Sequence, residues 1–138
     1  MLCKFRHWNF YPSIKQQHLN KAIQFAKNYT DIKDEDIRLI KHTCKTILTY
    51  DNNICIIKDN NDKFDVPTGS FFGTELCDLV GLYALSNLKH LYNHNEIGLY
   101  EDDGLAIINR KNNQELERLK KNTKKPLMNS DLNYDWYR

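Results

Sequence analysis

The sequence predicts an α+β domain in which a small antiparallel sheet packs on helices. Residues 97–108 contain two apolar runs separated by Glu101-Asp102-Asp103-Gly104, which is typical of a β-hairpin. Three other stretches carry apolar residues at the spacing of an amphipathic helix. An aromatic stretch near the N-terminus favours a further strand. Strands and helices therefore both contribute to the expected core.

The N-terminal part predicts a strand and then a helix. The strand covers residues 5–13 and runs into a turn at Pro12, because proline moves the preceding residue away from helical geometry. Ser13 is the expected N-cap of the helix, which ends near Asn28. The apolar face of this helix comprises Leu19, Ala22, Ile23 and Ala26.

The middle of the chain predicts two more helices and a short strand. An acidic stretch at residues 30–36 favours a helix N-terminus, and apolar spacing extends that helix to Tyr50. Residues 54–57 read as a strand. A loop with proline and glycine then leads into a long helix over residues 71–92, and a short polar helix over residues 113–121 follows the hairpin.

Composition sets the broad class. A length of 138 residues with 41% hydrophobic content predicts one globular domain. The net charge of +2 is too small to indicate nucleic acid binding by itself. The sequence has no signal peptide and no apolar run of the ~20 residues that a membrane span needs, so the expected location is intracellular, cytoplasmic or nuclear.

The hairpin carries the chemistry. Asp102 and Asp103 are adjacent at its expected tip, and Gly104 can adopt positive φ there at little cost. Neighbouring carboxylates repel each other, and a fold that presents them together commonly does so for Mg²⁺ or Mn²⁺. The alternative is an ordinary solvated turn. These twelve residues alone do not separate the two.

Three blocks of the chain resemble reverse transcriptases of retrotransposon-like elements. Tyr100-Glu101-Asp102-Asp103 resembles the Tyr-x-Asp-Asp catalytic hairpin of that family. Phe5-Arg6-His7-Trp8-Asn9-Phe10-Tyr11-Pro12-Ser13-Ile14 is similar to its first catalytic block, most closely in the second half. Thr68-Gly69-Ser70 and the apolar helix after it resemble the family's second conserved region. The blocks stand in the family's order and cover residues 5 to about 120.

The resemblance implies a polymerase palm-like core and a two-metal RNA-directed DNA polymerase. It implies that Asp102 and Asp103 are catalytic and hold Mg²⁺ or Mn²⁺. Tyr11 corresponds to an aromatic that closes the pocket against a ribose 2′-hydroxyl, and Tyr100, Gly69 and Ser70 correspond to nucleotide- or template-binding positions. The implied partners are an RNA or DNA template-primer and deoxynucleoside triphosphates. The bottom-up alternatives are a core aromatic for Tyr11 and a plain loop for residues 67–70.

Arg6 departs from the family at a critical position. It stands where reverse transcriptases carry their third metal-binding carboxylate, and a guanidinium there repels the ions that the carboxylate binds. The family's fingers and thumb also have no counterpart. We therefore expect a truncated palm-like domain over residues 1–121 and a polar basic and aromatic tail over residues 122–138 that is solvated and frayed.

Three functions remain open. The first is a reverse transcriptase fragment that is inactive alone because Arg6 replaces the first-block Asp. The second is a polymerase subunit completed by further polymerase segments or a partner chain. The third is a non-enzymatic nucleic-acid-binding or interaction module derived from a polymerase palm.

Overall fold

The computed structural model describes residues 1–8, 10–44, 47–56, 71–89, 91–92, 96–109, 112–129, 132 and 134–137. The strands are β1 Leu2–His7, β2 Ile47–Tyr50, β3 Asn53–Ile56, β4 Ile97–Tyr100, β5 Asp103–Ile107 and β6 Tyr134–Tyr137. The helices are α1 Phe10–Ser13, α2 Gln16–Ala26, α3 Asp34–Thr43, α4 Gly73–Ser86 and α5 Asn113–Asn129.

Four strands form one antiparallel sheet in the order β4-β5-β1-β6. β5, the second strand of the β4–β5 hairpin, lies between β4 and β1. It therefore separates the two strands, β1 and β4, that the long helical crossover connects. This is the arrangement of a split βαβ unit, completed by α5 and β6. β2 and β3 form a separate hairpin, whose turn residues Asp51 and Asn52 both have positive φ. The expected α+β class with a small antiparallel sheet is confirmed.

One face of the four-stranded sheet is covered by helices. Along β1 the side chains alternate, and Cys3, Phe5 and His7 are buried while Lys4 is exposed. The buried residues of α2 and α4 pack on this face: Leu19, Ala22, Ile23, Leu76, Cys77, Val80 and Ala84. We refer to the opposite face, which carries Lys4, Arg6, Tyr100, Asp103, Leu105 and Tyr137, as the open face.

The N-terminal boundaries differ from the expected ones. β1 ends at His7, and the short helix α1 replaces the second half of the expected strand. Ser13 does not cap α2, because its hydroxyl donates to the Phe10 carbonyl oxygen at 2.7 Å within α1. α2 begins at Gln16, where the Lys15 N–H donates to His18 Nδ1 at 3.0 Å. This is the reciprocal contact of a capping box, in which the third helical side chain accepts from the N–H of the residue before the helix, and it occurs without the expected serine cap.

The second helix is shorter than expected. α3 ends at Thr43, and Ile47–Tyr50 forms β2 instead of continuing the helix to Tyr50. The expectation was wrong there because the β-branched and aromatic side chains of Ile47–Tyr50 suit a strand, and the Asp51-Asn52 turn lets β3 pair with them. The strand expected over residues 54–57 is confirmed in its described part as β3.

The expectation of a frayed C-terminus is also wrong for residues 134–137. α5 runs past residue 121 to Asn129, and β6 pairs with β1 along its whole length. Tyr134 is buried, and its ring contacts Phe5 at 5.5 Å and His7 at 5.1 Å between centroids. Burial of these aromatic surfaces stabilises the last strand in the sheet.

Across the described ranges, none of the helices combines the length and the apolar character that a membrane crossing requires.

Candidate active site at the β4–β5 turn

The turn between β4 and β5 has two residues, Glu101 and Asp102, because Tyr100 pairs with Asp103. Glu101 has φ of 50°, which is uncommon for a residue with a side chain. Positive φ at the first turn residue alone is the sign pattern of a type II′ turn, which joins antiparallel strands well. The hairpin was thus predicted correctly, while its turn lies one residue earlier than expected.

Gly104 serves a different purpose from the expected one. It lies inside β5 with φ outside the left-handed region, directly opposite Phe5 of β1. A Cβ at Gly104 would clash with the edge of the Phe5 ring. The glycine therefore makes room for a core aromatic, and the positive φ falls on Glu101 instead.

The structure brings Arg6, Asp102 and Asp103 together. Arg6 pairs with Asp103 in the β1–β5 register, and its Nε and Nη2 donate to the two Asp103 carboxylate oxygens at 2.6 and 2.9 Å. This is a bidentate contact, in which two parallel N–H groups match two oxygens. Arg6 Nε also lies 3.7 Å from Asp102 Oδ2. One guanidinium therefore faces both carboxylates of the hairpin.

The Arg6–Asp103 pair has an electrostatic consequence. The hydrogen bonds from Arg6 lower the pKa of the Asp103 carboxyl from its ordinary value. Asp103 therefore stays ionised to a lower pH than a free aspartate, and its charge is matched by Arg6 instead of by a bound cation. All three side chains are partly exposed, so the pair is accessible to solvent.

Asp102 is fixed through its backbone. The His7 N–H donates to the Asp102 carbonyl oxygen at 2.7 Å, which ties the turn to the end of β1. The His7 ring is buried between Phe10 and Tyr134, and burial lowers the pKa of this imidazole. Sequence reasoning did not single out His7. Its alternation with Cys3 and Phe5 along β1 is the signal that could have placed it in the core.

Tyr11 also belongs to the site. Its hydroxyl donates to Glu101 Oε1 at 2.5 Å, so α1 is joined to the tip of the hairpin. This hydrogen bond raises the pKa of Tyr11 above its ordinary value. Glu101, the residue with positive φ, is thus hydrogen-bonded to a side chain outside the hairpin. Tyr11 therefore lies beside the acidic turn, with its hydroxyl engaged by the chain itself.

The remaining sequence-predicted residues divide into two groups. Tyr100 projects from the open face with 74% of its surface exposed, in register with Asp103. Gly69 and Ser70 lie outside the described residues. The implied template loop is therefore not part of the geometry described above.

The donor set does not fit a divalent cation while Arg6 is present. In the part of the chain that the structure describes, no three His, Cys, Asp or Glu side chains are grouped to share a metal ion. Asp102 and Asp103 are the carboxylates that would hold one, but both oxygens of Asp103 accept hydrogen bonds from Arg6. A cation next to a guanidinium would also be repelled.

The chain matches no protein-family model, and no curated protein matches it either. The likeness to reverse transcriptases therefore remains a resemblance carried by the residues quoted above.

Proposed function

We propose that this chain derives from a reverse transcriptase palm whose metal site Arg6 has closed, so that the chain does not polymerise DNA by itself. The observation that carries the proposal is the bidentate contact of Arg6 with Asp103, 3.7 Å from Asp102. Arg6, which departs from the family pattern, thus contacts Asp102 and Asp103, which match it. This supports reading the three positions as one altered site.

Two further contacts support the proposal. Tyr11, the residue that resembles the family's nucleotide-facing aromatic, donates its hydroxyl to Glu101 within the hairpin. β5 of the hairpin pairs with β1 in the middle of an antiparallel sheet packed on helices, with β4 at the sheet edge, and a small sheet of this kind is what the palm resemblance implies. On this proposal, Arg6 and Glu101 engage the side chains that the resemblance assigns to metal and nucleotide.

Primer extension on an RNA template, with Mg²⁺ and then Mn²⁺, tests the proposal. We expect no extension by the original chain or by its Asp102→Asn variant. The Arg6→Asp variant restores a carboxylate, so we expect extension that a second change, Asp102→Asn, abolishes. Arg38→Asp, at an exposed arginine on α3, is the matched control and stays inactive. Extension by the original chain that disappears with Asp102→Asn would contradict the proposal.

The open face favours a second candidate, a nucleic-acid-binding module without catalysis. Trp8 and Tyr137 lie next to each other with ring centroids 6.2 Å apart. Together with Lys4 and Arg6 they line a cleft of about 330 Å³. Exposed aromatic rings beside cationic side chains are the features on which single-stranded nucleic acids stack.

Fluorescence anisotropy with a labelled single-stranded RNA tests this candidate. Stacking is worth about 1–3 kcal/mol per base, so Trp8→Ala weakens binding by roughly 5- to 150-fold. Tyr50→Ala removes another exposed aromatic, on β2 and outside the cleft, and leaves the affinity unchanged. Equal losses in the two variants, or no binding by the original chain, would exclude this function.

A further inference from the structure

Helix α4 is apolar on more than one side. Its buried residues Leu76, Cys77, Val80 and Ala84 face the core. Leu79, Leu82 and Leu85 lie on other sides of the same helix, and Leu82 is 56% exposed. A helix that is hydrophobic all round is normally covered all round. Within the described residues, the side of α4 that carries Leu82 has no such cover.

The uncovered side of α4 and the end of α2 enclose a cavity of about 380 Å³, which we call the α2–α4 groove. Its walls include Phe25 and Tyr29 on one side, Leu79 and Leu82 on the other, and Ile97 from β4. Small-molecule sites have volumes of about 300–1,000 Å³ and mainly apolar walls. The groove meets both criteria, and it lies on the helices, away from the β4–β5 turn.

The described lining of the groove carries one cationic side chain, Lys89. Its Nζ lies 5.8 Å from the centre of the Tyr29 ring. It forms no salt bridge with a described residue, and a cation–π contact at an exposed site is weak. The carboxylate of a ligand can therefore bind the Lys89 ammonium group with the loss of only this weak cation–π contact.

Two other polar side chains of the groove, Ser86 and Tyr92, are engaged within the protein. The Ser86 hydroxyl donates to the Tyr83 carbonyl oxygen at 2.7 Å. The Tyr92 hydroxyl is hydrogen-bonded to Thr123 Oγ1 at 2.6 Å. Among the described residues, the groove thus offers mainly apolar walls, the hydroxyl groups of Tyr29 and Thr30, and one cationic contact, Lys89.

We propose that the α2–α4 groove binds a small amphipathic monocarboxylate, with its hydrocarbon body along Leu82 and Phe25 and its carboxylate on Lys89. The charge of Lys89 selects an anionic head, and the apolar walls select an aliphatic or aromatic body. This site does not depend on the proposed polymerase origin, because it shares no residue with the Arg6–Asp103 pair.

Titration with dodecanoate below its micelle-forming concentration, followed by methyl NMR of the folded chain, tests the proposal. We expect saturable shifts of the methyl groups of Leu79, Leu82 and Ile97. Dodecyltrimethylammonium has the same hydrocarbon body with the opposite charge, and we expect it to bind more weakly. Lys89→Met keeps the apolar stem and weakens dodecanoate about two- to fivefold, as removal of an exposed charge pair does.

Matched substitutions exclude non-specific effects. Leu82→Asp places a charge in the groove at an exposed position and reduces dodecanoate affinity by about tenfold or more. Leu39→Asp changes a leucine of α3 that is 63% exposed and lies outside the groove, and it leaves the affinity unchanged. Lys41→Met is the corresponding lysine control on α3.

Three results would overturn the proposal. The first is the absence of saturable shifts at groove methyl groups. The second is equal binding of the anionic and cationic probes. The third is a concentration-dependent dimer in sedimentation that Leu82→Asp removes, since this would identify a second copy of the chain as the occupant.

Discussion

Replacing Gly104 by alanine tests the packing that supports the hairpin. The added Cβ would clash with the Phe5 ring, which is 1% exposed. Phe5 has little freedom to move, because its ring contacts Tyr134 and Trp136 at centroid distances of 5.5 and 4.9 Å. The backbone of Gly104 lies outside the left-handed region, so steric overlap and not φ strain determines the cost.

Overpacking of a well-filled core costs about 1–3 kcal/mol. We expect Gly104→Ala to fall in the upper part of that range, about 2–3 kcal/mol, because aromatic neighbours confine Phe5. For a chain of this length, 1 kcal/mol corresponds to roughly 3–5 °C in Tm. The expected decrease in Tm is therefore roughly 6–15 °C.

Urea unfolding monitored by circular dichroism measures this free energy. Gly98→Ala is the matched control, because a Cβ at Gly98 in β4 meets no atom within 4 Å. Its stability stays unchanged or rises by about 0.4–1 kcal/mol, since alanine restricts the unfolded chain. A second measurement compares Gly104→Ala in the original chain and in a Phe5→Leu background.

The Phe5→Leu background removes the ring edge that the new Cβ would meet, so Gly104→Ala costs less there. Direct neighbours of this kind show coupling energies of about 0.5–3 kcal/mol. The reasoning is refuted if Gly104→Ala is neutral, or if it costs the same in both backgrounds.

Two further predictions concern buried polar groups. Tyr134 Oη is buried and has no hydrogen-bond partner among the described residues, so we expect Tyr134→Phe to raise the free energy of unfolding by about 1 kcal/mol. Tyr92→Phe loses the hydrogen bond to Thr123, so we expect it to lower the free energy of unfolding by about 1 kcal/mol in the same assay. The two variants must change the free energy of unfolding in opposite directions, and a change in the same direction would contradict these hydrogen-bond assignments. Burial lowers the pKa of His7 in the folded state below the ordinary histidine value of 6.5. At pH values below 6.5 the unfolded state therefore binds more protons than the folded state. Stability is complete above that pH and falls as the pH decreases towards the folded pKa. Urea midpoints between pH 5 and 8 reveal this slope, which His7→Gln removes and which the exposed-site control His42→Gln retains.

The local parts of the fold were predictable from sequence. The hairpin at residues 97–108 has a strong alternation of apolar runs and a turn, and the helical stretches have the expected periodicity. These signals are local, so they do not depend on the rest of the chain. The same holds for the proximity of Asp102 and Asp103, which are adjacent in sequence.

The non-local parts were not predictable. β6 has four residues in a polar, asparagine-rich context, and it becomes a strand because Tyr134 packs on Phe5 and His7. From the sequence, Gly104 is typical of a turn residue. The Phe5 ring lies opposite Gly104 because β1 pairs with β5, and the sequence does not show this pairing. Ile47–Tyr50 suits a helix or a strand by periodicity, and pairing with β3 decides between them.

The candidate site shows the same division. From the sequence, Asp102 and Asp103 match the reverse transcriptase pattern, and Arg6 departs from it. The bidentate geometry of Arg6 on Asp103, and the hydrogen bond from Tyr11 to Glu101, depend on side-chain directions that the sequence does not specify. The β1–β5 register places Arg6 opposite Asp103, whereas the Tyr11–Glu101 contact also requires the placement of α1 beside the turn.

Calorimetric titration with Mn²⁺ tests the central claim most directly, because it measures the metal site without requiring polymerisation. The account predicts no saturable binding by the original chain or by Arg38→Asp, and a new binding site in Arg6→Asp that Asp102→Asn removes. Saturable binding of Mn²⁺ by the original chain, abolished by Asp102→Asn, would show that the carboxylates hold a metal beside Arg6 and would contradict the account.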